Sequence, residues 1–318
     1  MFLRFKAKKE GLVLRKSFWN RLSKDLYYNR HIYIMLLPVV IYYILFHYQP
    51  MYGAQIAFKN YSPASGIWSS TFVGLKHYYA FFRSYYAFRI IRNTIVLNVL
   101  NIIFGFPAPI ILALLLNEII NNRFKRVVQT VTYLPHFISL VVVCGIILDF
   151  LARDGVVNEL IGFLGIKPIP FMLQPEWFRF VYVSSGIWQQ IGWGSIIYLA
   201  ALSGINPELY EAARVDGAGR WRQTLSITIP GIAPTIIIML ILRMGRMMNV
   251  GLEKVLLLYN SNTYETADVI STFVYRKGLL EMSYSYSTAV DLFNSVINFL
   301  MLVIVNRISR KVTETSLW

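Results

Sequence analysis

The chain has 318 residues, 56% of them hydrophobic, 15% aromatic and 15% charged, a balance too apolar for an ordinary soluble domain and one that makes lipid the solvent for much of it. The formal net charge is +15, from 31 Lys and Arg against 16 Asp and Glu, but this excess lies beside apolar runs instead of on one aromatic-interleaved face, which excludes a nucleic-acid-binding role. The single cysteine, Cys144, excludes an intramolecular disulfide.

In chain order, a basic segment, 1–30, comes first and carries Arg4, Lys6, Lys8, Lys9, Arg15, Lys16, Arg21, Lys24 and Arg30. The apolar run that follows, 31–58, has no small-x-small cleavage pattern near Ala57 and reads as a retained helix, not a secretory signal. Charge-free runs at 93–117, 127–148, 180–207 and 223–242 follow, each long enough for a spanning helix of about 20 residues. A sixth run, 286–306, holds one acid, Asp291. Irregular backbone cannot face lipid, so the pattern predicts an all-α polytopic membrane protein with six transmembrane helices, near 32–49, 89–117, 127–149, 179–203, 231–250 and 286–306. The predicted organisation is a basic amino-terminal segment, 1–30, a six-helix domain, 31–306, and a tail, 307–318. Pro38, Pro107, Pro109, Pro135 and Pro234 lie within or at the edge of these helices, where they kink the axis.

Charge sets the expected orientation. The amino-terminal basic residues share a side with Arg123, Lys125, Arg126, Arg214, Arg220, Arg222, Arg307, Arg310 and Lys311. The opposite side has only Lys59, Lys76, Arg83, Arg153, Lys167, Lys254, Arg276 and Lys277 in its longer loops. Basic residues near helix ends stay in the cytoplasm, so both termini are expected there.

The loop 206–230, between the fourth and fifth helices, has a physical reading of its own. Asn206 can cap a helix that Pro207 opens, and Glu208, Glu211, Ala212 and Ala213 suit its first turns. Gly217-Ala218-Gly219 permits a sharp turn, after which Trp221, Leu225 and Ile227 resume an apolar spacing up to Pro230. Small side chains let another protein approach closely, and Glu211, Arg214 and Asp216 offer it charge, which describes a docking knob. An amphipathic connector lying on the membrane is the alternative.

Glu211-Ala212-Ala213, then Gly217, then Ile227 and Ile229-Pro230 resemble the EAA loop of binding-protein-dependent ABC importers, written EAA, three residues, G, nine residues, I-x-L-P. Every anchor falls at its spacing, with Ile229 where Leu is usual. The resemblance implies a type I ABC importer permease fold in which this loop is the cytoplasmic coupling helix, seated in a groove of an ATPase subunit through Glu211, Ala212, Ala213, Asp216 and Gly217. The runs 72–79 and 249–261 resemble maltose-type sugar permeases, and within them the LplB-like branch for oligosaccharides and polysaccharide fragments; the similarity extends from about Arg30 over the rest of the chain. It implies a bacterial plasma-membrane permease that works with a second, paralogous permease subunit, two ATPase subunits and an extracytoplasmic solute-binding protein. No Gly-x-x-x-x-Gly-Lys-[Ser/Thr] phosphate loop occurs, so ATP and Mg are expected on the ATPase subunits, and this chain is expected to be no enzyme and to carry no cofactor. The four histidines have no metal-ligand spacing.

Polar residues in the apolar runs mark a candidate pathway, because polar groups in lipid are costly unless they face a cavity or a partner. Thr94, Asn98 and Asn101 recur on the second helix, Asp291, Asn294 and Asn298 on the sixth, and Arg243 and Arg246 on the fifth; the fourth adds Trp188, Gln189, Gln190 and Trp193. Indoles and amides together suit a sugar, with helix-to-helix clamping as the competing role for the Asn and Thr side chains. Arg243 or Arg246 is expected either to pair with Asp291 or to meet an anionic substrate such as a uronic-acid oligosaccharide. Other functions compatible with the pattern are an ABC permease for a non-sugar solute such as a peptide, or an ion-driven carrier; an intramembrane enzyme lacks any catalytic constellation.

Overall fold

In a computed structural model of the chain, residues 24–313 and Ser316 are described; the basic residues from Arg4 to Arg21 lie outside them. By compactness the chain divides into two units, 1–55 and 56–318. The described part of the first is dominated by α1, Arg30–Phe58, a 29-residue apolar helix whose last three residues belong to the second unit; its composition is that of a helix whose solvent is lipid.

The second unit opens with a short antiparallel pair, β1 (Lys59–Asn60) and β2 (Thr71–Phe72), with Lys59 opposite Phe72. Next come α2, Lys76–Arg83, and α3, Tyr85–Glu118, 34 residues long. The third predicted helix, 127–149, is not one span. It is α4, Asn122–Tyr133, a 3-10 turn, Leu134–Phe137, and α5, Leu140–Phe150, bent by 100° at the break. Pro135 lies in that turn and Ser139 starts a new helix by accepting from Val142 N at 3.4 Å, which ends one helix and nucleates another in a different direction. Then follow α6, Pro175–Leu202; α7, Pro207–Val215; α8, Arg220–Met244; α9, Leu252–Leu258; α10, Ile270–Tyr275; and α11, Tyr284–Thr313.

Among the described residues four helices, α1, α3, α8 and α11, are long and apolar enough to cross a membrane, and the bent α4–α5 pair makes a fifth candidate. α6 has the length, at 28 residues, but Ser184, Ser185, Gln189 and Gln190 make it more polar. Each of the six predicted segments thus corresponds to a helix or a bent pair. One boundary matters for the site. The fifth helix, expected over 231–250, runs Arg220–Met244, so Arg246 lies past its end, in a turn closed by Met248 N donating to Asn298 Oδ1 at 2.7 Å.

Of the four π-helical turns among the described residues, three, Ile44–Tyr48, Asn101–Gly105 and Thr224–Thr228, each end two residues before a proline, Pro50, Pro107 and Pro230, and the fourth, Arg276–Leu280, does not. Proline donates no backbone N–H, and the ladder accommodates the gap by slipping to i→i−5 bonds, such as Phe106 N to Asn101 O at 3.0 Å. α6 packs closely on α3 and α4 through glycines. A Cβ on Gly194 would meet Pro109 Cγ at 3.0 Å, and one on Gly192 would meet Thr132 O at 2.1 Å.

One ionic knot ties α3 to the stretch around α10. Asp268 is fully buried and accepts from Arg276 at 2.8 Å, Arg89 at 3.3 Å and Thr272 Oγ1 at 2.9 Å. Asn93 adds Nδ2 donation to Glu265 O at 2.9 Å and Asp268 O at 3.1 Å. Removing the carboxylate charge leaves two guanidiniums facing each other, and breaking such a buried pair costs about 3–5 kcal/mol. Asp268→Asn should therefore lower the thermal unfolding midpoint of the detergent-purified protein clearly; an unchanged midpoint would show that the knot contributes nothing to stability.

Candidate functional site

Between α3, α6, the end of α8 and α9 lies a cavity of about 660 Å³. Asn98 and Asn101 face it from α3, Gln189 and Gln190 from α6, and Arg243 and Arg246 from α8 and the turn beyond. Six of the twelve predicted pathway residues therefore meet around one space.

Of the other six, Thr94 accepts from Ile270 N and Trp193 stacks on His136, and the remaining four fall into two groups. Asn294 and Asn298 are buried behind the wall, where their amide nitrogens donate to Asn249 Oδ1 at 2.9 and 3.0 Å. Asn249 itself lines the cavity, so these two hold a cavity residue in place. Trp188 and Asp291 lie off the cavity, on exposed surface of α6 and α11. Asp291 makes no ion pair among the described residues, so the expected pairing with Arg243 or Arg246 is not formed. The reason is level along the helix. Asp291 sits seven residues, or about 10 Å, nearer the start of α11 than Asn298, and Asn298 already caps the turn in which α8 has ended.

The amides on α3 serve two purposes. Thr94 donates to Ile90 O at 2.7 Å and accepts from Ile270 N at 3.0 Å, which makes it a clamp between elements. Asn98 and Asn101 use their amide nitrogens on the carbonyls of Thr94 and Leu97, at 2.9 and 3.2 Å, while remaining on the cavity wall. Gln189 Nε2 donates to Ile138 O at 3.3 Å, and Gln190 Oε1 lies 3.0 Å from His136 Nδ1, whose ring stacks on Trp193 at 4.5 Å. The bend between α4 and α5 is thereby joined to the cavity wall.

Lys254 is the cavity residue that sequence reasoning missed, having placed it in an outer loop. It lies on α9, in the connector between α8 and α11, and is only 8% exposed. Its Nζ donates to Tyr182 O at 3.0 Å and lies 4.9 Å from the Tyr182 ring centroid, and Gly186 leaves room beneath it, since a Cβ there would meet Nζ at 3.2 Å. Burial pushes the Lys254 ammonium down to about 8. Among the described residues three cations thus line the cavity, and no carboxylate does. Leu97, Phe178, Tyr182, Val183, Val255 and Leu258 belong to a packed apolar cluster beside it.

At the other functional element, α7, the local chemistry follows the residues closely. Asn206 Oδ1 accepts from Glu208 N at 3.0 Å and Pro207 opens the helix. Its end is a Schellman motif, with Ala218 N donating to Ala213 O at 2.8 Å and Gly217 N to Arg214 O at 3.1 Å, and Gly217 at φ 75° in the left-handed region. Glu211, Ala212, Asp216 and Gly217 are exposed and Ala213 is half-buried. Glu211 and Asp216 enter no ion pair among the described residues, so their charges are open to a partner. Tyr210 Oη lies 3.0 Å from Thr228 Oγ1, and Arg220 pairs with Glu118 at 3.7 Å, which links the loop to α8 and to the end of α3.

Residues 105–314 match the family described as binding-protein-dependent transport system inner membrane component. Over 310 residues the chain is 43% identical to the polygalacturonan/rhamnogalacturonan transport system permease protein YteP of Bacillus subtilis, covering 97% of each chain. It is 44% identical to the protein LplB of the same organism over 291 residues, 91% of this chain and 92% of that one. Among solved structures it resembles, with a TM-score of 0.87 and 45% identity over 93% of its length and all of the other chain's, a bacterial alginate ABC transporter in complex with an alginate pentasaccharide-bound periplasmic protein. With these matches the ion-driven carrier is set aside: the chain belongs to the binding-protein-dependent inner membrane component family, as a multi-pass permease subunit of an ABC importer.

Proposed function

We propose that this permease conducts an acidic oligosaccharide, a chain of uronic-acid sugars, by ATP-driven alternating access. The observation that carries the reading is the charge of the central cavity, where Arg243, Arg246 and Lys254 meet amides of Asn98, Asn101, Asn249 and Gln190 with no acid among the lining residues. A cluster of cations with its counter-charge missing favours an anionic ligand. Guanidiniums grip carboxylates in a two-pronged fashion, and amides suit the hydroxyls between them. Similarity to permeases named for polygalacturonan and alginate transport supports the same substrate class.

In this reading both termini are cytoplasmic, in a bacterial plasma membrane. A second, paralogous permease subunit completes the pathway, a solute-binding protein delivers the sugar from outside, and two ATPase subunits hydrolyse ATP with Mg on the inside. The chain itself catalyses no covalent step. The ATPase groove receives α7 through Glu211, Ala212, Ala213, Asp216 and Gly217. The Tyr210–Thr228 contact and the Arg220–Glu118 pair pass the movement of α7 to α8 and α3.

In proteoliposomes containing the whole importer and its binding protein, Arg243→Gln should reduce uptake of a uronic-acid oligosaccharide about tenfold or more, the value of one charge-assisted hydrogen bond. Uptake of the methyl-esterified oligosaccharide should change little. Equal loss for both probes would sink the acidic-substrate reading.

Lys254 adds a pH dependence. Its folded pKa, about 8, lies below the ordinary 10.5, so between those values the unfolded chain keeps a proton that the folded chain has shed, and stability rises with pH across that window. The cavity loses one positive charge through the same titration. The ratio of charged to esterified uptake should fall between about pH 7 and pH 9 in the native protein and stay flat over that range in Lys254→Met; a sloping ratio in the variant would assign the titration elsewhere.

At the docking loop, Glu211→Lys reverses a charge on the exposed face, and Gly217→Pro forces a φ near −65° where the chain has 75°. Both should abolish substrate-stimulated ATP hydrolysis or co-purification of the ATPase while membrane insertion persists. Full retention of both properties would mean that α7 is not the docking point.

A further inference from the structure

Four arginines converge at the end of the helices opposite the docking loop. α3 starts there, at Tyr85, and finishes at Glu118 beside Arg220; α6 starts there, at Pro175, and leads into α7. Arg89 and Arg92 of α3, Arg179 of α6 and Arg276 beyond α10 gather around Asp268 and Glu265, an excess of two positive charges. Asp268 neutralises Arg89 and Arg276, as described above. Arg92 and Arg179 enter no ion pair among the described residues. Arg92 donates weakly to the Glu265 carbonyl, at 3.4 Å, and Arg179 donates to Asn93 Oδ1 at 3.1 Å, while Asn93 Nδ2 donates to that same Glu265 carbonyl at 2.9 Å. The hydrogen bonds that bring these two guanidiniums together go to neutral acceptors, while the Glu265 carboxylate acts on Arg179 from beyond ion-pair distance. Arg89 Nε, Arg179 Nε and Arg276 Nη1 are buried without a hydrogen-bond partner.

A recess of about 510 Å³ opens on this cluster, lined by Tyr85, Phe88, Arg89, Arg92 and Glu265. Tyr85 and Phe88 are 86% and 77% exposed, so their ring faces are open beside the guanidiniums. An aromatic belt at the membrane surface explains exposed rings, but it does not explain four guanidiniums gathered around two acids, a surplus of positive charge that an anion relieves. Arginine forks match carboxylates, and open rings match the apolar faces of a sugar.

We infer that this recess is a second, outer station for the substrate, where Arg92, backed by Arg89 and Arg179, receives a carboxylate of the acidic oligosaccharide before it reaches the central cavity. Arg92 precedes Asn98 by six residues, which places the station about 9 Å along α3 from the cavity wall. Between the two levels lies Leu97, packed with Phe178 and Tyr182, so an apolar layer separates the station from the cavity in this conformation. The outer station holds the leading sugar until that layer opens. The inference rests on the acidic-oligosaccharide reading.

The test uses the complete importer in proteoliposomes at saturating binding protein, with a uronic-acid oligosaccharide and its methyl ester as probes. Arg92 is exposed, so Arg92→Gln leaves the fold intact. It should lower the charged-to-ester uptake ratio about tenfold, and Arg92→Lys should restore most of it. Binding of the empty binding protein to the importer should be unchanged. Equal loss of both probes, or weakened docking of the empty binding protein, would overturn the outer station, the second result assigning Arg92 to an acidic side chain of that protein. Arg243→Gln serves as the parallel control. If it lowers the ratio and Arg92→Gln does not, the central cavity keeps its role and the outer station fails. If neither variant changes the ratio, both readings fail together.

Discussion

A positive charge held inside a lipid-solvated bundle must find an acid, water or a ligand, and this requirement organises the molecule. Where the fold supplies the acid, the charge becomes structural. Asp268, fully buried, draws Arg89 and Arg276 onto itself and joins α3 to the segment before α11. Where the fold supplies none, the charge is left for something else to meet, as with Arg243, Arg246 and Lys254 around the central cavity. The same residue type thus serves opposite ends, and the position of one carboxylate decides which.

Lys254 shows how closely such a charge can be controlled. It sits over the Tyr182 ring, donates to the Tyr182 carbonyl and occupies the space that Gly186 leaves on α6. Ring, carbonyl dipole and desolvation act on one ammonium, the first two favouring the charge and the third opposing it, and desolvation dominates. A side chain so restrained cannot swing toward lipid, unlike a lysine at a free helix end. Its charge points at the space where Arg243 and Arg246 already stand.

The contact between α7 and α8 rests on equally local chemistry. α7 ends in a Schellman motif that requires a left-handed residue at Gly217, and the chain then turns directly into α8. A π turn at Thr224–Thr228, set by Pro230, lies at the point where Tyr210 of α7 touches Thr228 of α8. The ladder there is already irregular, so α7 touches the spanning helix where that helix bends most easily. α3 has the matching feature at Asn101–Gly105, beside the cavity.

The helix and turn within residues 206–230 were legible in the sequence, because caps, turn glycines and the helix between them depend on neighbours within a few positions. The apolar runs likewise announced the spanning segments, since bilayer thickness alone dictates their length. The 100° bend after α4 was only hinted at by Pro135, because a proline marks a break without stating its angle. The pathway residues divided along the same line: polar spacing brought Asn98, Asn101, Gln189, Gln190, Arg243 and Arg246 to one cavity, yet it could not tell that Asp291 stands too far up α11 to join them. Nor could it find Lys254, whose place depends on a connector folding back between helices. The sequence by itself determined which segments meet lipid and how the loop 206–230 caps and turns, because both follow from local composition. Only the tertiary structure decided which charges are neutralised and which line a cavity, because that depends on where elements distant in sequence come to lie.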